Sequence, residues 1–291
     1  MANLRDIKRR ITSIQSTQKI TSAMKMVSAA KLRRAQDAID AARPYAQRMR
    51  STLEEVSSSG AEVEHPLFDQ RDEKEKKHLE VVVVTSDRGL AGAFNNQVLK
   101  VANALLAERA EDFGTVGLTL VGKRAVDHYK RRRPREISDS RPVGPHINYL
   151  EAQQIAQRLI ARFVEAEIDE VVLVYNEFVS TMTQTPRVAP LLPFSAPERA
   201  EDAEESLPYE VEPSAEKLLA VLVPKAVEVA VYRVLLENQA GEHAARMTAM
   251  ESATKNTEEL IEKLTLDFNR ARQAAITSEL VEIVTGAQAL E

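Results

Sequence analysis

Hydrophobic positions along the chain follow three different regimes. Counting a and d positions from the first leucine gives Leu4, Ile7, Ile11, Ile14, Gln18, Thr21, Lys25, Ser28, Leu32, Ala35, Ile39, Ala42, Ala46, Met49, Leu53 and Val56. Twelve of these sixteen are apolar, and a period of 3.5 predicts a left-handed coiled coil rather than a globular helix. The four exceptions are consecutive. Between Gln18 and Ser28 the apolar residues are Ile20, Ala23, Met24, Val27 and Ala30, so the seam is expected to slip by one position there and then recover. At about 1.5 Å per residue, a helix over 1–58 would be roughly 85 Å long, more than a compact domain of this size could bury.

The far end behaves alike. Over 214–291, Leu218, Leu222, Val229, Tyr232 and Leu236 form one stripe. Met250, Ala253, Leu260, Leu264, Ala271, Ala274 and Val281 continue it past a polar gap at Gln239 and His243. Ser214 followed by Glu216 suits an N-cap with an acidic first turn. Pro224 is expected to kink or restart the helix, and Gly241 costs about 1 kcal/mol relative to alanine. Two long helices at opposite ends of one chain are expected to pair as an antiparallel coiled coil. Their charges agree: residues 1–58 carry 12 basic and 5 acidic side chains, plus 7, and residues 214–291 carry 8 and 12, minus 4.

Between them, residues 59–213 alternate. HLEVVVVTS (78–86) is a near-continuous β-branched run, as a strand covered on both faces requires. A helix over 95–111, a strand over 116–122, a short helix over 123–132, a helix over 149–166 and a strand over 170–179 follow. Strands separated by helices imply right-handed crossovers and a mainly parallel, Rossmann-like α/β domain. Prolines and acidic residues then make 186–213 read as an extended connector. The breakers divide the chain in the same way. None of the nine glycines precedes Gly60, and six of the twelve prolines lie between Pro186 and Pro213.

Composition narrows the chemistry. With 39 Lys+Arg against 44 Asp+Glu and no cysteine, the chain is no globally basic nucleic-acid binder, no disulfide scaffold and no thiolate site. Apolar runs are too short to span a bilayer, and MANLRDIKRRI has no apolar h-region, so no signal peptide is expected. Gly89 and Gly92 could cradle a phosphate, but neither phosphate-loop pattern is present, and a tight turn serves equally. His65, His78, His128, His146 and His243 show no ligand spacing. No catalytic, cofactor-binding or metal residues are assigned. KRRRPR (130–135) lacks aromatic interleaving, which fits a solvated helix end or contact with an acidic protein or lipid surface better than nucleic acid.

Three blocks carry more specific text: IKRRITSIQSTQKITSAMKMVSAAKLRRAQ (7–36), TSDRGLAGAFN (85–95) and EHAARMTAMESATKNTEELIEKLTLDFNRARQAAITSELVEIVTGAQAL (242–290). Together they resemble the gamma subunit of F-type ATP synthases, in order and over essentially the whole chain. The resemblance implies a rotor shaft, with the coiled coil inside a head of three alpha and three beta subunits. The α/β domain would be a foot docked on the epsilon subunit and the membrane c ring. It further implies beta-subunit contacts at Lys19, Met24, Lys25, Lys31, Arg246, Arg272, Gln273 and Thr277, and an apolar bearing tip at Val284, Ala287 and Leu290. Ala91 stands where many members have cysteine. With no transit-like segment ahead of MANLRDIKRRI, a bacterial protein on the cytoplasmic face of the inner membrane is expected. Two other readings remain: a structural coiled-coil tether, and a nucleotide-dependent α/β enzyme with a coiled-coil arm.

Overall fold

The computed structural model describes residues 4–58, 65–69, 78–109, 112–195 and 214–288. Helix α1 spans Leu4–Ser58 and helix α5 spans Ala215–Gln288. Neither Pro44 in α1 nor Pro224 in α5 interrupts its helix, so the expected restart at Pro224 does not occur. The chain divides into two compact units, one formed by residues 1–29 with 246–291 and the other by residues 30–245. Residues 30–58 and 215–245 of the long helices thus belong with the α/β unit.

That second unit contains β1 (His78–Val84), α2 (Phe94–Arg109), β2 (Thr115–Val121), α3 (Lys123–Arg132), β3 (Ile137–Arg141), α4 (Tyr149–Val164), β4 (Glu170–Phe178) and β5 (Gln184–Leu192). The strand order is β3-β2-β1-β4-β5, parallel throughout except for the antiparallel β4–β5 pair. The β-branched run of β1 is explained by burial on both sides. Val82 and Val84 join a core with α4 and α5, while Leu79, Val81 and Val83 join one with α2 and α3. Met49 and Leu53 of α1 complete the first of these cores.

Two strands escape the sequence pattern. Residues 184–192 form β5, so the expected connector over 186–213 is a strand up to Leu192, and the prolines are tolerated because β5 is an edge strand. There Pro186 and Pro190 remove no ladder hydrogen bond that a central strand would need. β3 (ISDSR) is the opposite edge, too short and polar to show a period. The rest of the connector, 196–213, lies outside the described residues, as do residues 110–111 at the expected end of α2.

The first unit is the paired ends of α1 and α5. Gln18 Nε2 donates to Glu258 Oε1 at 3.1 Å, Thr21 Oγ1 meets Thr254 Oγ1 at 2.8 Å, and Lys25 Nζ meets Glu251 Oε1 at 2.6 Å. Rising numbers on α1 face falling numbers on α5, so the pairing is antiparallel.

Candidate functional site

The described residues contain no group of three or more His, Asp or Glu side chains that could hold a metal. Two buried carboxylates are the obvious candidates for acid–base chemistry. Glu80 on β1 is 0% exposed and accepts from Thr119 Oγ1 at 2.6 Å and Ser138 Oγ at 3.0 Å, with Arg162 of α4 at 3.0 Å. Glu228 on α5 is 2% exposed and accepts from Tyr149 OH at 2.6 Å, Lys225 Nζ at 2.7 Å and the amides of Gln153 and Gln157. Burial alone would raise the Glu228 pKa. The hydrogen bonds from Lys225, Tyr149, Gln153 and Gln157 outweigh it, so the pKa lies below the ordinary glutamate value. Burial and that same carboxylate hold the Tyr149 phenol well above its usual value. Glu80 thus ties β1 to β2, β3 and α4, and Glu228 ties α5 to α4.

In a doubly wound sheet, ligands bind outside the carboxyl ends of the strands where the crossovers diverge. Here that point lies between β1 and β4, and α5 fills it. Asn238 Nδ2 donates to Thr85 O at 3.1 Å, and a β-carbon on Gly241 would come to 2.9 Å from the Phe94 ring. Asn176 of β4 donates to Phe94 O at 2.9 Å from below. Residues 234–244 are buried on nearly every side, polar ones included, and the expected polar gap at Gln239 and His243 is packed interior. The Gly89–Gly92 loop is tied down rather than open. Asn95 Oδ1 accepts from Ser86 N at 2.9 Å, and Asp87 Oδ1 accepts from Lys123 N at 2.8 Å and Val143 N at 3.1 Å. Gly122, at φ +97°, lies so close to the Thr85 carbonyl that a side chain would collide with it. Between these tied flanks the loop makes a tight turn, with Leu90 and Gly92 both at positive φ.

A groove of about 1160 Å³ also runs between α1 and α5, lined by Arg33, Asp37, Arg43, Tyr45, Tyr232 and Arg233 among others. Four of its cations face carboxylates: Arg43 meets Asp40 at 3.1 Å, Arg50 meets Glu54 at 2.8 Å, Lys225 meets Glu228 at 2.7 Å and Arg233 meets Glu237 at 2.7 Å.

Candidate contact residues therefore reduce to the surfaces of the paired helices. The expected slip of the α1 seam is not found. Thr21 and Ser28 are 8% and 3% exposed, whereas Ile20 and Val27 are 59% and 57% exposed. The heptad register continues straight through, because Gln18, Thr21 and Lys25 find polar partners on α5 and need no apolar neighbour. On α5 the seam is Met250, Thr254, Thr257, Ile261, Leu264, Phe268, Ala271 and Ala275, each buried or half-buried. Leu260, Ala274 and Val281, expected within it, are exposed.

Of the eight residues singled out as contacts, Lys19, Arg272, Gln273 and Thr277 are exposed, Met24, Lys25 and Lys31 half-buried, and Arg246 buried at 8%. Lys25 is engaged by Glu251, and Thr277 Oγ1 donates to its own helix at Gln273 O, 2.9 Å away. Lys31 belongs to the α/β unit and the others to the paired helices. At the tip, Val284 is 56% exposed alongside exposed Leu280, Val281 and Ile283. The side chain of Ala287 and all of Leu290 lie outside the described residues. The exposed apolar strip Ile20, Met26 and Val27 was missed as a surface. Its signal was present as apolar residues off the heptad.

Among the described residues no helix is long and apolar enough to cross a membrane. A family model described as ATP synthase matches residues 3–290. The chain is 48% identical to an ATP synthase gamma chain of an Anaeromyxobacter strain and 47% identical to that of Desulforamulus reducens, each alignment covering 100% of both chains. Among solved structures, it is similar to the central stalk and c-ring assembly of the Tetrahymena thermophila mitochondrial ATP synthase, with TM-score 0.57 and 26% identity over 80% of this chain and 99% of that one. A Euglena gracilis mitochondrial ATP synthase chain shares the fold at TM-score 0.67 and 20% identity, covering 99% of this chain and 94% of that one.

Proposed function

The chain belongs to the ATP synthase gamma-chain family, and we propose that it works as the central rotor shaft coupling rotation of a membrane ring to the conformational cycle of catalytic subunits. The observation that carries this reading is the pairing of two breaker-poor helices from opposite ends of the chain, joined to an α/β unit whose ligand crevice is filled by one of them. A nucleotide enzyme needs that crevice open. A simple tether needs no closed α/β unit built onto the helices.

In this reading, the chain is a peripheral subunit of a membrane-bound complex on the cytoplasmic face of a bacterial inner membrane. One copy serves three alpha and three beta subunits, with the epsilon subunit and c ring beside the α/β unit, and proton flow supplies the work. The exposed Lys19, Arg272, Gln273 and Thr277, with the half-buried Met24, Lys25 and Lys31, present unlike chemistry to successive beta subunits. Arg246 adds to such a contact only through the little surface it shows. The apolar face around Val284, continued by Ala287 and Leu290, would turn in an apolar sleeve.

A shaft can shift a catalytic site between states only by contacting those states unequally, and moving one from 1:99 to 99:1 requires about 5.5 kcal/mol. A few charge-assisted hydrogen bonds of roughly 1.5 to 3 kcal/mol each reach that scale. Asymmetry around the shaft is therefore a requirement, and two unlike helices meet it. Co-expression with alpha and beta subunits tests the reading. The expected product holds one copy of this chain per three of each, and removal of about 20 C-terminal residues weakens coupling. A chain that stays separate, or that binds and hydrolyses ATP alone, would sink it.

A further inference from the structure

The α/β unit carries one strongly charged surface that the shaft does not use. Helix α3 starts at the carboxyl edge of the sheet, where Arg124 N donates to Ser86 O at 3.1 Å, and runs back against the strands to the opposite edge, where Leu118 N donates to Glu136 O at 2.7 Å. Ala125 and Tyr129 face inward, and the Tyr129 hydroxyl donates to Asn103 Oδ1 at 2.9 Å. That anchoring turns Lys130, Arg131, Arg132 and Arg135 out to solvent at the amino edge of the sheet, and all four are exposed. Nearby acids do little to neutralise them. Glu136 is held by Arg133 at 2.8 Å, Arg132 leans on the His128 ring at 3.0 Å, and Asp127 is the one exposed acid of the helix.

We propose that this face, Lys130, Arg131, Arg132 and Arg135, is a docking surface for anionic phospholipid headgroups. Protein partners are recognised chiefly through aromatic or apolar anchors at the centre of the contact, and residues 130–135 offer none. They offer clustered positive charges on long stems, which suit a diffuse sheet of phosphates. The chain as a whole carries net charge minus 5, so attraction to such a sheet has to come from a local basic patch rather than from overall charge. The surface lies at the edge opposite Asn238 and Gly241. The inference rests on the rotor reading, in which the α/β unit is the foot turned toward the membrane.

The test is co-sedimentation of the purified full chain with vesicles of phosphatidylcholine, alone or mixed with phosphatidylglycerol, at low salt. The chain is expected to follow the mixed vesicles only, and to be released at high salt as screening shortens the reach of the charges. The triple variant Lys130→Gln, Arg131→Gln, Arg135→Gln should partition about a hundredfold more weakly, roughly fivefold per charge removed. An unchanged circular dichroism spectrum would show that the variant is folded. Equal binding by variant and wild type, or wild type ignoring phosphatidylglycerol, overturns the proposal. Retention on a solubilised c ring but not on protein-free vesicles also overturns it, by assigning the surface to a protein. Failure of the chain to assemble with head subunits would instead sink the rotor reading, and the vesicle result would stand apart from it.

Discussion

In the α/β unit, β1, β2 and β4 are covered on both faces, so that Leu120, Ala156, Val171 and Val174 are wholly buried. In the paired helices each seam residue has a neighbour on one side and water on the other. Thr21 and Thr254 meet where a close-packed core would have two aliphatic side chains. The α/β unit is held by area, the paired helices by register. A shaft that must show its outer faces to partners cannot also bury them, and polar pairs at fixed heights keep two helices aligned without adding sticky surface.

The comparison breaks first on truncation. Phe163→Ala in the doubly covered core should cost about 3 to 5 kcal/mol, whereas Leu264→Ala, half-buried in the seam, should cost under about 2 kcal/mol; equal losses on chemical denaturation would end the distinction. Gly241→Val tests the joint between α5 and the sheet. It should cost about 1 to 3 kcal/mol through overpacking against Phe94, and Phe94→Leu in the same chain should recover part of the lost melting temperature. Thr21→Val leaves the Thr254 hydroxyl without its cross-helix partner and should cost about 1 kcal/mol. The double change with Thr254→Val should return to near neutral or better, because both partners then become apolar. The gentlest effect is on acidification. The pKa of Glu228 is depressed in the folded chain, so its stabilisation is present above the ordinary value of 4.5 and is lost as pH falls through the lower, folded one. Glu228→Gln should flatten that part of the acid-unfolding curve, and an unchanged slope would remove Glu228 from the account.

Elements with a strong period were readable from sequence. The two long helices follow from heptads that are apolar over most of their length, and β1, β2 and β4 from runs of Val and Leu. What failed did so for physical reasons. Pro186 and Pro190 signal a break only where a strand needs every donor, and β5, at an edge, does not. Gln18, Thr21 and Lys25 read as a displaced seam because their partners at 258, 254 and 251 lie more than two hundred residues away. The filled crevice was invisible, because nothing local marks Asn238 or Gly241 as the residues that occupy it. The contact residues were legible only through resemblance, since an exposed Arg272 or Gln273 has no local distinguishing mark.

Gly241 looks at first like a weak point, a helix-breaking residue in the middle of a 74-residue helix. Set against Phe94, it behaves as a keyway cut in an axle. With no β-carbon there, the ring seats against the helix backbone, and turning α5 about its own axis within this unit would drive the ring into the flanking side chains. Drive applied to the sheet therefore reaches the helix without slip, by shape rather than by adhesion.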